Sequence, residues 1–489
     1  MTASQQALQP TIKRPEASIP FVVDLDGTLL KSDALFECAM AFVRSQPWRC
    51  LTLLGWLIHG KAYLKKQLAQ STYIDVSLLP YNPDVLAMIE ERRGQGRQIV
   101  LATASYHSLA RRIGEHLQLF DDILATRLEC NLSGHHKRDL LIELFGERGF
   151  DYVGNSLEDL KIWRAARHAY VVSPSASVLL AIKSLDNVVQ PILSDATGLG
   201  EWRKALRLHQ WVKNALIFVP LLAAHQIVNP LLFWHGLLAF LFFGLCASGV
   251  YVLNDLLDLE DDRRHPTKRA RPFASGHLSI KSGLMICPLL LIASLGGAWL
   301  WLPSQFVLVL AFYYVLTLAY SLKLKRVMTL DVITLALLYT LRIIAGGAAF
   351  DLELTAWMLA FSMFIFLSLA LVKRYTELLV VSRSGGADKA SGRDYYPADM
   401  AMLSSLGAAS GYLAVMVLAL YIRDSATVVL YDHPQIIWLA CPLLLFWVTR
   451  VWILTHRGLM KDDPVVFALK DPLSLVVGAL FFFVFWSAA

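Results

Sequence analysis

Hydrophobic positions fall into two regimes along the chain. Residues 19 to 172 carry short Val/Ile-rich runs (IPFVVDL, QIVLATA, FDDILAT, FDYVGN and AYVVS) separated by stretches of helical period. Such an alternation predicts a parallel sheet with crossover helices. From residue 214 onward the apolar runs lengthen to the roughly 20 residues that a membrane-spanning helix needs. Nine runs centre near residues 220, 242, 292, 312, 340, 364, 414, 444 and 480, the first of them short and interrupted by Pro220. The expected architecture is an N-terminal α/β domain, a Rossmann-like parallel sheet with a helical cap, followed by an all-α polytopic membrane domain of about nine helices. The boundaries read as a flexible tail over 1–18, the α/β domain over 19–190 with its cap near 33–82, a linker with an interfacial helix over 191–206, and the membrane domain over 207–489.

The polar connections give the topology. With the N-terminus inside, the loops assigned inside (254–281, 321–330, 373–405 and 454–471) hold 17 Lys/Arg, and those assigned outside hold only Arg423. Positive charge collects on cytoplasmic loops, so the expected location is the inner (cytoplasmic) membrane, with the α/β domain and the charged loops on the cytoplasmic side. The N-terminal residues lack the apolar core of a signal peptide, in keeping with that side.

Composition adds little beyond this split. The chain is 56% hydrophobic and 17% charged, against about 25% charged in an average soluble domain. A net charge of +6 does not by itself argue for nucleic acid, and none is expected as a partner. Six cysteines are scattered without CxxC or Cys/His spacing, which fits a reducing compartment and argues against a zinc site. In the cap, CLTLLGWLIHG is too short to span a bilayer; it reads as a buried cap helix in preference to a patch on the membrane surface.

Candidate chemistry in the first domain lies beyond the carboxyl ends of the strands, where open α/β sheets place their working residues. The first strand ends in VVDLDGTLL, with two aspartates two apart and then a tight turn. This segment resembles the first motif, DxDGT, of the haloacid dehalogenase (HAD) phosphatase superfamily, over about 170 residues. The resemblance implies that Asp24 is the nucleophile and Asp26 the general acid/base. It also implies that Thr103 of IVLATAS hydrogen-bonds the phosphoryl group and that Lys137 of HHKRDLL offsets its charge. Where the family shows GDxxxD this chain reads GNSLED, giving Asn155 and Asp159. Together with Asp24 and Asp26 these would hold Mg²⁺, with one charge fewer than usual.

The densest charge in the chain is NDLLDLEDDRRHPTKRARPFASG, residues 254–276, directly after an uncharged apolar run. At 100° per residue, Asn254, Asp255, Asp258 and Asp262 fall at about 0°, 100°, 40° and 80°, one stripe of a helix. Carboxylates packed at a membrane edge repel one another unless a cation sits among them. Magnesium prefers oxygen ligands shared between carboxylates and phosphates, and the following bases suit phosphate oxygens. The stretch therefore reads as an Mg²⁺–diphosphate cradle. The bland reading, a solvated loop whose bases set topology, leaves the acidic stripe unexplained.

This segment resembles the aspartate-rich motif NDxxDxxxD of the UbiA superfamily of intramembrane prenyltransferases, and within it the polyprenyl-phosphate phosphoribosyltransferases. Supporting stretches are RLHQWVKN, YSLKLKRVMTLD, LRIIAGG and KRYTEL, in order over about 280 residues. The family's second acidic cluster, DxxxD, is not intact. The resemblance implies Mg²⁺-dependent transfer of 5-phosphoribosyl from phosphoribosyl diphosphate to a polyprenyl phosphate lipid, releasing pyrophosphate, with the HAD-like domain dephosphorylating the product. Asp255, Asp258 and Asp262 would hold the metal. Lys213, Asn214, Asn254, Lys268, Arg269, Arg271, Tyr320, Lys325, Asp331, Arg342, Lys373, Arg374 and Glu377 are the candidate substrate-binding residues. Of these, Asp331 and Glu377 have the simpler reading of partners to neighbouring bases, and Lys213 and Lys373 that of interfacial anchors. Two alternatives stand beside this reading: a prenyltransferase using a prenyl diphosphate and an aromatic acceptor, and a membrane-anchored HAD phosphatase. Nothing in the sequence argues against an oligomer.

Overall fold

The computed structural model describes residues 19–127, 132–172, 175–189, 198–383, 394–423, 431–460 and 463–488. The 1–18 tail and residues 191–197 of the linker lie outside them, and the expected interfacial helix of the linker falls on the described Leu199–Ala205. The chain forms two compact units. One comprises the residues up to Ala205 together with Asp255–Leu284; the other comprises Leu206–Asn254 and Met285–Ala489. The aspartate-rich segment thus groups with the α/β unit, an assignment that a division of the sequence into contiguous domains does not make.

All five strand-like runs are strands: β1 Phe21–Val23, β2 Ile99–Tyr106, β3 Asp122–Thr126, β4 Asp151–Gly154 and β5 Ala169–Val171. They pair in parallel in the order β3-β2-β1-β4-β5. Both faces are covered, so the strands read as nearly unbroken apolar runs, and alternate residues serve different cores. Phe21 and Val23 pack into one cluster with Leu101, Val85 and Ile113. Val22 packs into the other with Val100, Leu141 and Trp163. Because β1 is central, residues leaving its carboxyl end stand between those leaving β2 and β4.

The expected cap is helical: α1 Ala34–Ser45, α2 Thr52–Ile58 and α3 Lys61–Ser71. Asp33 caps α1 by accepting from the backbone N–H of Leu35 at 2.9 Å, satisfying a donor that the helix start leaves open. The sheet is flanked further by α4 Pro83–Gly94, α5 His107–Leu117, α6 His135–Phe145, α7 Leu160–Ala165 and α8 Ala176–Ile182. One face of α2 departs from expectation. Leu53 and Trp56 pack inward, but Leu51, Leu54, Leu57 and Ile58 are exposed, so the run is not a buried cap helix throughout.

Beyond the sheet, the short α9 Leu199–Ala205, at the end of the first stretch of the α/β unit, is followed by α10 Val219–Ala223 and the long α11 Pro230–Leu257. After α11 come the short α12 Leu259–Arg264, then α13 Ile280–Trp301, α14 Ser304–Leu322, α15 Leu330–Phe350, α16 Ala356–Arg383 and α17 Met400–Ile422. The chain closes with α18 Ala440–His456, α19 Pro464–Lys470 and α20 Pro472–Ala488. Among the described residues seven helical segments are long and apolar enough to cross a membrane. An eighth counts if α19 and α20, bent by 82° at their junction, form one span. The ninth candidate, near residue 220, is not one helix: Leu208–Phe218 is an eleven-residue 3₁₀ segment, and α10 follows it. Gly346 on α15 permits the close approach of this segment, since a Cβ there would lie 2.0 Å from the Ile217 carbonyl oxygen.

One buried ion group fixes the sheet's amino-terminal edge. Arg97 donates to Asp151 at 2.7 Å, with both side chains almost wholly out of water. Arg167 adds a fork of two bonds to the same carboxylate. Burial pushes the Asp151 pKa up, but the hydrogen bonds from the two guanidinium groups outweigh it and hold the acid below its ordinary 3.8. The folded value being the lower, the stability it contributes is complete above that ordinary value and is lost as pH falls through the depressed one. Asp151→Asn is expected to destabilise the α/β unit by about 3–5 kcal/mol, since Arg97 stays buried without its counter-charge. Pulse proteolysis of the full-length protein in urea measures this.

Candidate functional site

The α/β unit gathers its motif residues at the carboxyl ends of β1, β2 and β4. Asp24 leaves β1 and accepts from Lys137 Nζ at 2.6 Å, both side chains buried. Asp26 accepts the backbone N–H of Ala34 at 2.7 Å and the Ser105 hydroxyl at 2.8 Å. Gly27 makes the turn at φ +73°, and a Cβ there would meet the Asn155 side-chain nitrogen at 2.1 Å. Thr103, in β2 just before the irregularity that shifts its register with β3, accepts from the Ser105 N–H at 2.9 Å. Lys137 also donates to the Tyr152 hydroxyl at 3.1 Å, which in turn donates to Asp159 at 2.9 Å. The other Asp159 oxygen accepts from Asn155 N, Ser156 N and Ser156 Oγ. Asp159 therefore braces the loop that carries Asn155.

Burial pushes Asp24 up to about 7 even with Lys137 pulling the other way. Burial, helped by the neighbouring Asp33, pushes Asp26 up to about 6. Two desolvated carboxylates two residues apart, the first bonded to Lys137 and the second near Lys65, form an acid pair that stays raised towards neutrality. That is the environment in which one carboxyl attacks and its neighbour carries a proton.

The aspartate-rich segment is not one continuous helix. α11 ends at Leu257, the chain turns at Asp258, and α12 resumes at Leu259. The stripe drawn at 100° per residue is broken there. Two of its members nevertheless converge: Asp255 and Asp262, both buried, accept from the same Arg271 Nη1 at 3.1 and 2.7 Å. Burial lifts Asp262 to about 6 against the pull of Arg271. Asp258 is half-buried, and Asn254 lies on the last turn of α11. Lys268 and Arg269 are exposed on a 3₁₀ turn.

Other charges of the segment bind the cap. Arg263 makes a forked bond to Glu37 of α1, at 2.6 and 3.0 Å, with both side chains buried, and also donates to the Ala274 carbonyl at 2.8 Å. Arg44 of α1 pairs with Asp261, and Arg264 reaches Asp75 at 3.4 Å. Of the ten charges in the segment, three are committed to this latch. Sequence reasoning missed Glu37 and Arg263, because nothing in a sequence links positions 226 apart.

The helical bundle holds two further polar clusters. In the first, Asp463 meets Lys213 at 2.8 Å, Lys373 at 3.6 Å and the Tyr339 hydroxyl at 3.2 Å. Alongside, Arg342 donates to Asn214 at 3.2 Å and to the Tyr313 hydroxyl at 3.3 Å, with its guanidinium over the rings of Phe243, Tyr313 and Tyr339. The buried Asn214 side-chain nitrogen has no hydrogen-bond partner among the described residues. Asp463 was not foreseen; its only sequence signal is an acid immediately before Pro464 at a helix start, which it caps. In the second cluster Arg374 of α16 binds Asp331 through two nitrogens, Glu377 and the Tyr320 hydroxyl, and Tyr320 also donates to Asp331 at 2.8 Å. Asp331 and Glu377 thus partner a neighbouring base, the simpler of their two readings. Lys325 stands half-buried on the 3₁₀ turn Leu324–Arg326. Among the described residues, no three His, Cys, Asp or Glu side chains are gathered as a metal-binding group.

Comparison with known proteins agrees with both halves. Residues 215–470, more than half of the chain, match the UbiA prenyltransferase family. The chain belongs to that family. Residues 21–161 match the haloacid dehalogenase-like hydrolases. Uncharacterized protein y4nM of Sinorhizobium fredii is 38% identical over 95% of this chain and 90% of its own length. Decaprenyl-phosphate phosphoribosyltransferase of Mycolicibacterium smegmatis is 32% identical over 55% of this chain and 86% of its own. A solved UbiA homologue from Archaeoglobus fulgidus, bound to DMAPP and Mg²⁺, is 17% identical with a TM-score of 0.45, covering 59% of this chain and 98% of that one. The protein is thus a multi-pass UbiA-family membrane protein with a HAD-like α/β unit.

The latch has a measurable consequence. Glu37→Ala leaves Arg263 buried and unpaired, at an expected cost of about 3–5 kcal/mol, and should raise amide exchange across residues 259–276. Glu260→Ala, which removes only the exposed pair with Arg264, should change stability by less than about 1 kcal/mol. Hydrogen-exchange mass spectrometry of the two full-length variants separates these effects.

Proposed function

We propose that the protein transfers 5-phosphoribosyl from phosphoribosyl diphosphate to a polyprenyl phosphate, releasing pyrophosphate, and that the HAD-like unit removes the 5-phosphate from the lipid product. The observation that carries the reading is the convergence of two buried carboxylates, Asp255 and Asp262, on a single cationic group. A site that already brings two hard oxygen donors onto one positive centre fits magnesium, and Asp258, at the turn between them, would supply a third donor on swinging towards the ion. Bound there, the ion supplies charge neutralisation to a leaving pyrophosphate.

The chain's own residues do the rest. Lys213 and Lys373 present positive charge to phosphate oxygens, and Asn214 has a donor to spare for a substrate oxygen. Arg271, Lys268 and Arg269 bind diphosphate oxygens, Arg271 by exchanging its carboxylates for them. As the sugar–oxygen bond breaks, positive charge grows on the anomeric carbon, and carboxylates of the acidic segment stabilise it. The lipid phosphate is already an anion, so its attack needs no general base. A prenyltransferase with an aromatic acceptor is less well supported, because the surviving acid of the second cluster, Asp331, is held by Arg374. The positive-inside count supports the cytoplasmic side for both the acidic segment and the HAD-like unit.

Purified protein in detergent, given labelled phosphoribosyl diphosphate, Mg²⁺ and a polyprenyl phosphate, should yield lipid-soluble label. Asp258→Ala and metal chelation should each lower the rate on the order of 100-fold. Label transferred only from a prenyl diphosphate would establish the aromatic-acceptor reaction instead. In the HAD-like unit, Asn155→Asp restores a ligand charge and should lower the Mg²⁺ concentration for half-maximal phosphomonoester hydrolysis about tenfold.

A further inference from the structure

The cap carries a surface that neither reaction uses. Between Glu37 and Asp75 the chain has no acidic residue, while Arg44, Arg49, Lys61, Lys65 and Lys66 supply five positive charges. Within this stretch Trp48 is 89% exposed and Ile58 85%, and Leu51, Leu54 and Leu57 are exposed with them. Leu51, Leu54 and Ile58 share one face at the start and along α2, with Trp48 on the 3₁₀ turn Pro47–Arg49 just before it, and the opposite face is apolar too: Leu53 and Trp56 pack into the core, Trp56 against Phe42 with ring centroids 5.1 Å apart. A helix apolar all round is not built to face water. A soluble protein seldom leaves a contiguous apolar patch of this kind uncovered.

We propose that the α2–α3 hairpin is a bilayer-contacting element, with Trp48, Leu51, Leu54 and Ile58 in the headgroup–acyl boundary and the flanking bases on anionic lipid headgroups. Three features select a lipid surface over a protein groove. The patch joins aromatic and aliphatic side chains to Arg49, Lys61 and Lys66, with no acidic residue among them, the composition of interfacial helices; Arg44 and Lys65 are turned instead to Asp261 and the Ala104 carbonyl. Anionic headgroups are the complementary charge. The α/β unit is covalently continuous with membrane-spanning helices, so a bilayer is always within its reach. The far side of the hairpin belongs to the hydrolase pocket: Lys65 of α3 donates to the Ala104 carbonyl at 2.6 Å, one residue after Thr103. The substrate class presented to Asp24 is then a phosphomonoester carried on a membrane lipid, an extension that rests on the phosphatase reading above.

The test uses the full-length protein in nanodiscs of phosphatidylglycerol and phosphatidylcholine, with an environment-sensitive fluorophore on single-cysteine variants Leu54→Cys, Ile58→Cys and, on exposed α6, Glu143→Cys. Lipids bearing a nitroxide in the shallow acyl region should quench positions 54 and 58 by more than half and leave 143 unchanged; iodide in the water should show the reverse. Equal iodide quenching at all three positions overturns the proposal. So does protection from iodide without nitroxide quenching, which assigns the patch to a second copy or another protein. The substrate extension has its own readout: Leu54→Glu/Ile58→Glu should slow hydrolysis of a lipid-borne phosphomonoester at least tenfold while leaving p-nitrophenyl phosphate turnover unchanged. Failure of both hydrolyses in the parent protein removes the phosphatase reading and leaves the quenching result to decide bilayer contact.

Discussion

A carboxylate taken out of water gains most from positive charge, and that requirement organises five polar centres among the described residues. Asp24 finds Lys137, Asp151 finds two arginines, Asp255 and Asp262 share Arg271, Asp463 draws in two lysines, and Asp331 is wrapped by Arg374. What differs is how completely the pairing is closed. Around Asp151 and Asp331 the partners are fixed guanidinium forks with matching geometry, the arrangement suited to structure. Around Asp24 and Asp262 the positive charge is insufficient, and the acids remain raised towards neutrality. Incomplete pairing is where a phosphoryl group or a divalent ion has something to gain.

The same principle answers why ten charges crowd the end of α11. They do three separate jobs in 23 residues. Asp255 and Asp262 turn inward together; Arg263 and Asp261 bind α1; Lys268 and Arg269 stay exposed to water. A purely electrostatic anchor would need only the bases, and a purely metal-binding motif only the acids. The interleaving of the two fastens the segment on both sides, outward through the buried Glu37–Arg263 pair and the half-exposed Arg44–Asp261 pair, inward through Arg271.

Much of this was legible from sequence, for definite reasons. A parallel sheet covered on both faces leaves five apolar runs that no other arrangement explains, and each proved to be a strand. The long spans were equally plain, since lipid requires both length and apolarity. Two kinds of information were absent. Long-range pairs such as Glu37 with Arg263, or Lys213 with Asp463, have no local signature. Nor does hydrophobicity say which apolar medium a side chain meets: Leu54 and Leu53 look alike in the sequence, yet one faces outward and the other the core. The turn at Asp258 and the 3₁₀ segment over Leu208–Phe218 escaped because periodicity presumes an unbroken α-helix. Both irregularities fall among candidate substrate residues, where departures from regular geometry are most often retained.

The latch between Glu37 and Arg263 also sets an order of assembly. Ribosomes deliver the amino-terminal unit first, and domains generally fold as they emerge. Glu37 is therefore in place, solvated and waiting, more than two hundred residues before its partner is synthesised. Arg263 arrives only after α11 has entered the membrane. The acidic segment then closes onto a surface already folded, so the hydrolase-like half acts as a template on which the loop after α11 takes shape.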